Sequence, residues 1–309
     1  MWRSVSACNR KCVALLAVWL LAGSSARAEE MVYRKAVLST VLIVTPNSHI
    51  GSGVLVDVER GLVVTADHVL GKSDTVAAVF PEFDRAGRPI TEKAHYAKSG
   101  GAIGGKVLAR RATCDLALIQ LESIPTSARA ITLSADGARE GQAVHVIGHS
   151  NIGNGAVFGC VSGQVRNVYT NKPSAKIPLA GRVVLTSVAT NKGDSGGPVI
   201  NDDGELVAIV SGGTSGGPAD RQQVVDHSVD VSEVRTLLDA HRPSPAVLAM
   251  QNARDGSRPG FNPYELQPAE RLAITMALEM AQPSRPGDRA HPLFPPLPRQ
   301  SALVPADRH

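Results

Sequence analysis

Between residues 37 and 210 the chain is a succession of short apolar runs. Each is cut off by glycine, proline, asparagine or aspartate before it reaches the length of a helix. The runs cover residues 37–44, 53–58, 61–65, 106–109, 116–121, 143–147, 157–168, 182–188 and 205–210. Valine recurs in them, and its branched side chain, stiff at χ1, favours a pleated strand over a helix. Turn signals separate the runs, notably residues 57–61 and Asn201-Asp202-Asp203-Gly204, the latter a good hairpin connection. Helical periodicity is convincing over residues 232–241, where Val234, Leu237 and Leu238 share a face behind Ser232 and the acidic Glu233. Many short strands with one closing helix predict an all-β domain, in barrels or a sandwich. The glycine-rich run 99–105 leads into a strand pattern, so no helix N-terminus follows to hold phosphate, and a plain loop is expected.

The two ends have a different texture. Arg3, Arg10 and Lys11 precede an apolar stretch at 12–23, and Ala26-Arg27-Ala28 then offers a small-x-small cleavage signal. The stretch is shorter than the roughly 20 residues a spanning helix needs. Residues 1–28 are therefore expected to be a signal peptide, with no stable membrane insertion after its removal. Export to the periplasm or the extracellular medium follows. The formal charge of +4 resides in that segment, whose four bases face no acids; 28 bases and 28 acids remain. The electrostatic case for a nucleic-acid partner disappears with it. Residues 242–309 hold 12 of the 20 prolines and are expected to be a largely disordered tail, with one helical island at 269–281.

Cys114 and Cys160 lie beyond the signal; a disulfide and two separate thiols are both compatible with the sequence. His145 and His149 have no cluster of further ligands around them and are expected to be structural or exposed, so no metal is expected. His49 sits in a turn, and His227 is a candidate pocket-wall residue.

Acyl transfer from a peptide requires a serine hydroxyl, a histidine to take its proton, an acid to orient that histidine, and N–H groups for the oxyanion. Gly193-Asp194-Ser195-Gly196-Gly197-Pro198 suits the first and last demands, because Gly193 can turn its N–H toward the same point as that of Ser195. Leu62-Val63-Val64-Thr65-Ala66-Asp67-His68-Val69 supplies a histidine at a strand end, and Cys114-Asp115-Leu116-Ala117-Leu118 supplies an acid at a strand start. In order, these three motifs resemble the trypsin-like (chymotrypsin-fold) serine proteases, particularly the bacterial Deg/HtrA-type branch. Their spacings are 47 and 80 residues, and the resemblance runs over about residues 37–241.

That resemblance implies two six-stranded antiparallel β-barrels, the first at about 29–125 and the second at about 138–241, with a closing C-terminal helix. It gives His68, Asp115 and Ser195 the catalytic roles and the N–H groups of Gly193 and Ser195 the oxyanion hole, without metal or cofactor. The partners implied are polypeptide substrates. The first specificity pocket has Ala189 at its base, and Ser211, Gly212 and Gly213 form a wall that pairs with extended substrate. With nothing acidic at Ala189, a small-to-medium apolar residue is expected before the scissile bond. Gly213-Thr214-Ser215-Gly216-Gly217-Pro218 nearly copies the serine motif, but Gly, Pro, Asp and Gln surround Ser215, which is expected in a loop. Residues 242–309 are too few and too proline-rich for a PDZ domain. A non-catalytic peptide-binding protein on the same fold and a secreted serine esterase are the rival functions.

Overall fold

The computed structural model describes residues 29–150, 156–174, 179–215 and 224–242. The expected signal segment and, apart from Arg242, the proline-rich tail lie outside them.

Six antiparallel strands close a first barrel in the order β1-β2-β3-β6-β5-β4. They are β1 (Thr40–Val44), β2 (Ile50–Asp57), β3 (Leu62–Thr65), β4 (Thr75–Val79), β5 (Ile103–Arg111) and β6 (Leu116–Leu121). Alternate residues of these strands, among them Val41, Ile43, Leu55, Val63, Ala117 and Ile119, fill one apolar cluster, as the two-residue period of a strand requires. A second barrel follows from β8 (Ala143–Gly148), β9 (Gly159–Asn171), β10 (Gly181–Thr186), β11 (Pro198–Ile200), β12 (Glu205–Ser215) and β13 (Val224–Asp230). Pairing of β11 with β12 closes the order β11-β8-β9-β10-β13-β12. Its interior is a compact cluster rich in valine, including Val144, Val165, Val184, Val199 and Val210. The expected two six-stranded antiparallel barrels are thus present, with one addition: the short β7 (Thr132–Leu133), in the connection between them, runs parallel to β12.

The closing helix is α3 (Val231–Ala240). Asp230 caps it by accepting the Ser232 N–H, and Val231, Val234 and Leu237 enter a core cluster shared by both barrels. Asn201 Oδ1 accepts the N–H groups of Asp203 and Glu205, and Gly204 takes φ 73°, so the β11–β12 hairpin turns where the sequence indicates.

Four local expectations are corrected. Residues 37–39 form a 3-10 turn, and the strand starts at Thr40. Residues 29–36 are helical and α2 (Lys93–Ser99) is a second unexpected helix, each too short for a clear period in the sequence. Within the glycine-rich run, Ser99 ends α2, residues 100–102 are a loop, and from Ile103 the chain belongs to β5. Ser215 is the last residue of β12, paired with Val224, because ladder pairing with β13 carries a glycine-rich segment into the sheet.

Candidate active site

The three expected residues lie at the junction of the barrels. β3 ends at Thr65, and α1 (Asp67–Leu70) starts at once, with Gly71 at φ 54° ending it after a single turn. Arg110 of β5 fixes the turn: Nη1 bonds Asp67 Oδ1 at 2.8 Å and the Gly71 carbonyl at 3.1 Å, and Nη2 bonds the Ser73 carbonyl at 2.6 Å. His68 is thereby held at the rim, with half of its side chain exposed.

Asp115 takes φ 52° at the start of β6, a left-handed conformation that aspartate tolerates better than most residues. Its Oδ1 accepts the His68 backbone N–H at 2.9 Å, and its Oδ2 accepts His68 Nδ1 at 2.8 Å. The Ser211 hydroxyl donates to the same Oδ2. With Nδ1 donating, neutral His68 keeps Nε2 as an acceptor. The bond to Asp115 holds the imidazole pKa above its ordinary value; partial burial opposes this, and the charges of Asp115 and Asp67 add to it.

Ser195 lies in the turn between β10 and β11. Its hydroxyl donates to the Ser211 carbonyl at 3.3 Å, so Ser211 touches the expected acid with its hydroxyl and the expected nucleophile with its carbonyl. Gly193 takes φ 102°, a conformation open to glycine. Neither its N–H nor that of Ser195 donates to a backbone carbonyl among the described residues. Gly196, at φ 83°, packs so closely that any side chain would run into the Ser52 carbonyl and Thr65 Oγ1.

The first barrel braces this turn through Ser52 of β2. The Ser52 N–H donates to the Ser195 carbonyl at 2.8 Å, and its hydroxyl donates to the Gly193 carbonyl at 2.7 Å. That hydroxyl has one hydrogen, so toward His149 Nδ1, 2.8 Å away, it accepts. Burial pushes His149 down to about 3, keeping it neutral. Its ring meets Phe158 edge-on, with centroids 4.6 Å apart.

The sequence reading missed both Ser52 and the double contact of Ser211. Ser52 carries a faint signal, a hydroxyl between two glycines in an otherwise apolar strand. His145 is buried, bonded through Nδ1 to Ser162 and through Nε2 to Asp202; it ties β8 to β9 and to the hairpin turn. Cys114 and Cys160 are both free thiols. Asp194, buried within the serine motif, accepts the Asn191 N–H through Oδ2 at 2.8 Å. Burial pushes its carboxyl up to about 6, offset in part by that bond. Ala189 lines a cavity of about 100 Å³ together with Val188, Thr190, Asn191 and Asp194. Gly212 and Gly213 run along β12, paired with His227 and Asp226 of β13.

Comparison with known proteins agrees with this architecture. The trypsin-like peptidase domain family matches residues 51–209, half of the chain, and the chain belongs to that family. It is 28% identical over 162 residues to the periplasmic serine endoprotease DegP of Salmonella typhimurium, covering 52% of this chain and 29% of that protein. To the serine protease Do-like HtrA of Bacillus subtilis it is 26% identical over 167 residues, covering 52% and 33%. The chain thus spans about a third of the length of these curated relatives. Among solved structures, the active form of the Rv3671c protease from M. tuberculosis shares the fold, with a TM-score of 0.51, 20% identity, and 67% and 82% of the two chains covered. The HtrA-type protease AlgW with a tripeptide does so with a TM-score of 0.50, 19% identity, and 66% and 60% covered. No helix among the described residues is long and apolar enough to cross a membrane.

Proposed function

We propose that the protein is an exported serine endopeptidase that acts on polypeptides in the periplasm or outside the cell, through Ser195, His68 and Asp115. The observation that carries this reading is the continuous chain of contacts from His68 to Asp115 to Ser211 to Ser195, assembled from both barrels. When attack begins, the Ser195 hydroxyl leaves the Ser211 carbonyl and gives its proton to His68 Nε2. Asp115 holds the imidazole in the tautomer that can accept it and balances the imidazolium that forms. The Gly193 and Ser195 N–H groups meet the developing oxyanion, and the same imidazolium then protonates the leaving amine. An acyl-enzyme on Ser195 is the intermediate, which water hydrolyses in a second half-reaction with His68 again as base. These steps use the chain's own groups. On the lining read from Ala189, the residue before the scissile bond is small to medium and apolar.

A fluorophosphonate probe tests the reading, since it esterifies only an activated serine. Labelling of the folded protein, abolished in Ser195→Ala and kept in Ser215→Ala, is the expected result. Folded protein that takes up no probe would return the chain to the class of peptide-binding proteins. Hydrolysis of esters without hydrolysis of peptides would make it an esterase.

A further inference from the structure

Four buried side-chain atoms lack a hydrogen-bond partner among the described residues: both carboxylate oxygens of Asp226, the hydroxyl of Ser228, and His149 Nε2. Asp226 and Ser228 share a face of β13. Ser228 stands opposite Val184 and Val210, so both point into the valine-rich interior of the second barrel. There burial pushes the Asp226 carboxyl up to about 7, and the charge of Asp194 adds to the rise.

His149 is placed differently. It follows β8 directly, and the end of β8 runs against the serine turn. A side chain on Gly148 would collide with Asp194, and one on Gly197 would meet the Ile147 carbonyl. The other ring nitrogen of His149, Nδ1, faces the Ser52 hydroxyl, which in turn reaches the Gly193 carbonyl. Phe158 packs edge-on against the imidazole, and is itself held by a tilted contact with Tyr96 and by the Tyr33 hydroxyl donating to its carbonyl at 2.8 Å.

The place of one proton follows from these contacts. The Ser52 hydroxyl carries a single hydrogen and rotates to suit its acceptors. With the His149 proton on Nε2, two acceptors compete for that hydrogen, bare Nδ1 and the Gly193 carbonyl. With the proton on Nδ1, the imidazole becomes the donor and Ser52 must donate to Gly193. The surroundings select this second tautomer: Nε2 faces no acceptor among the described residues, and an orphaned buried N–H is rarer than an under-used acceptor. Burial and the charge of Lys93 oppose a second proton on the ring.

That proton decides how firmly the serine turn is held. Gly193, at φ 102°, is a glycine with wide conformational freedom. Within its own turn, the Asp194 N–H donates to the Asn191 carbonyl at 3.0 Å. Ser52 ties the turn to the first barrel at two points, the Gly193 carbonyl and the Ser195 carbonyl. These two residues carry the N–H groups assigned to the oxyanion, and such donors help only when they are fixed before the reaction. We propose that His149 is a positioning residue for the oxyanion hole: by donating from Nδ1 it commits the Ser52 hydroxyl to Gly193 and holds the turn in its working shape. The proposal rests on the peptidase reading for the role of that turn.

Peptide kinetics and ring NMR, both on the full chain, test it. His149→Leu removes the donor; kcat should fall about tenfold or more, with KM changed less than about twofold. His149→Asn keeps an N–H donor in the place of Nδ1 and should recover most of that loss. In a Ser52→Ala background, adding His149→Leu should cost no further kcat, because the effect passes through Ser52. An unchanged kcat in His149→Leu, an asparagine variant no better than the leucine one, or losses that multiply in the double variant overturn the proposal. The ¹⁵N spectrum of the imidazole in the Ser195→Ala protein needs no turnover, and so separates this proposal from the peptidase reading. A protonated Nδ1 with a bare Nε2 supports it even if no peptide is cut or the leucine variant fails to fold; a proton on Nε2 overturns it.

Discussion

The two barrels share an architecture but treat their buried polar groups in opposite ways. Around His68 the polar groups of the first barrel are paired: Asp115 receives three donors, one of them the Ser211 hydroxyl from the second barrel, Arg110 ties down α1, and the Thr65 hydroxyl donates to the Ser52 carbonyl at 2.6 Å. The buried side-chain atoms without partners among the described residues are His149 Nε2, both Asp226 oxygens and Ser228 Oγ, every one from the second barrel or its loops. One half is a finished base, preorganised before substrate arrives. The other half, which holds the serine and the pocket, keeps polar groups waiting. A protein gains rate from the first arrangement and selectivity from the second.

This contrast can be broken at its satisfied side first. Asp115→Asn should lower kcat about 10⁴-fold, since an amide in that place favours the wrong imidazole tautomer. A loss below tenfold would mean that the first barrel is not the preorganised half. The pH profile sharpens the same point. His68 must be neutral to act as base, and its pKa is raised above the ordinary 6.5. The acid limb of kcat/KM should therefore have its midpoint above 6.5, and activity should be lost as pH falls through it. A midpoint below 6.5 contradicts the observed pairing.

Smaller effects probe the other side. Ser52→Ala removes the donor to Gly193 and strands the His149 Nδ1–H in a buried site. A stability loss of about 1–3 kcal/mol in urea unfolding is expected, with a larger proportional loss of kcat than of KM. The smallest effect concerns Asp226. A carboxyl with a raised folded-state pKa contributes stability that is present below its unfolded value and lost as pH rises through the folded one, here about 7. Asp226→Asn should therefore gain Tm relative to wild type as pH goes from 5 to 8. A constant difference across that range would show that Asp226 is not protonated preferentially in the folded protein.

The sequence made the three candidate catalytic residues legible and hid the unpaired groups of the second barrel. His68, Asp115 and Ser195 sit in local motifs, where strand ends and glycines announce a turn within a few residues. The barrels were legible for a similar reason, because apolar runs of strand length leave few alternatives. Asp226 carries no such signal: its significance depends on which face of β13 it occupies and on what lies across two ladders, and both are tertiary facts. Ser215 failed in the opposite direction, because a loop-like composition was overridden by pairing with β13. The 29–36 helix and α2 are too short for periodicity to reveal, and the serine relay through Ser52 joins residues nearly 100 positions apart.

Each barrel also lends one serine to the other: β2 supplies Ser52 to the turn around Ser195, and β12 supplies Ser211 to Asp115. During synthesis the first barrel emerges well before the second, carrying its histidine and aspartate but neither the nucleophile nor the hydroxyl that completes the aspartate's shell. On the peptidase reading, a half-made chain is inert toward its own unfolded remainder. On that reading competence waits for the second barrel, whose last strand, β13, must emerge before the sheet can close, so that folding itself serves as the safety catch.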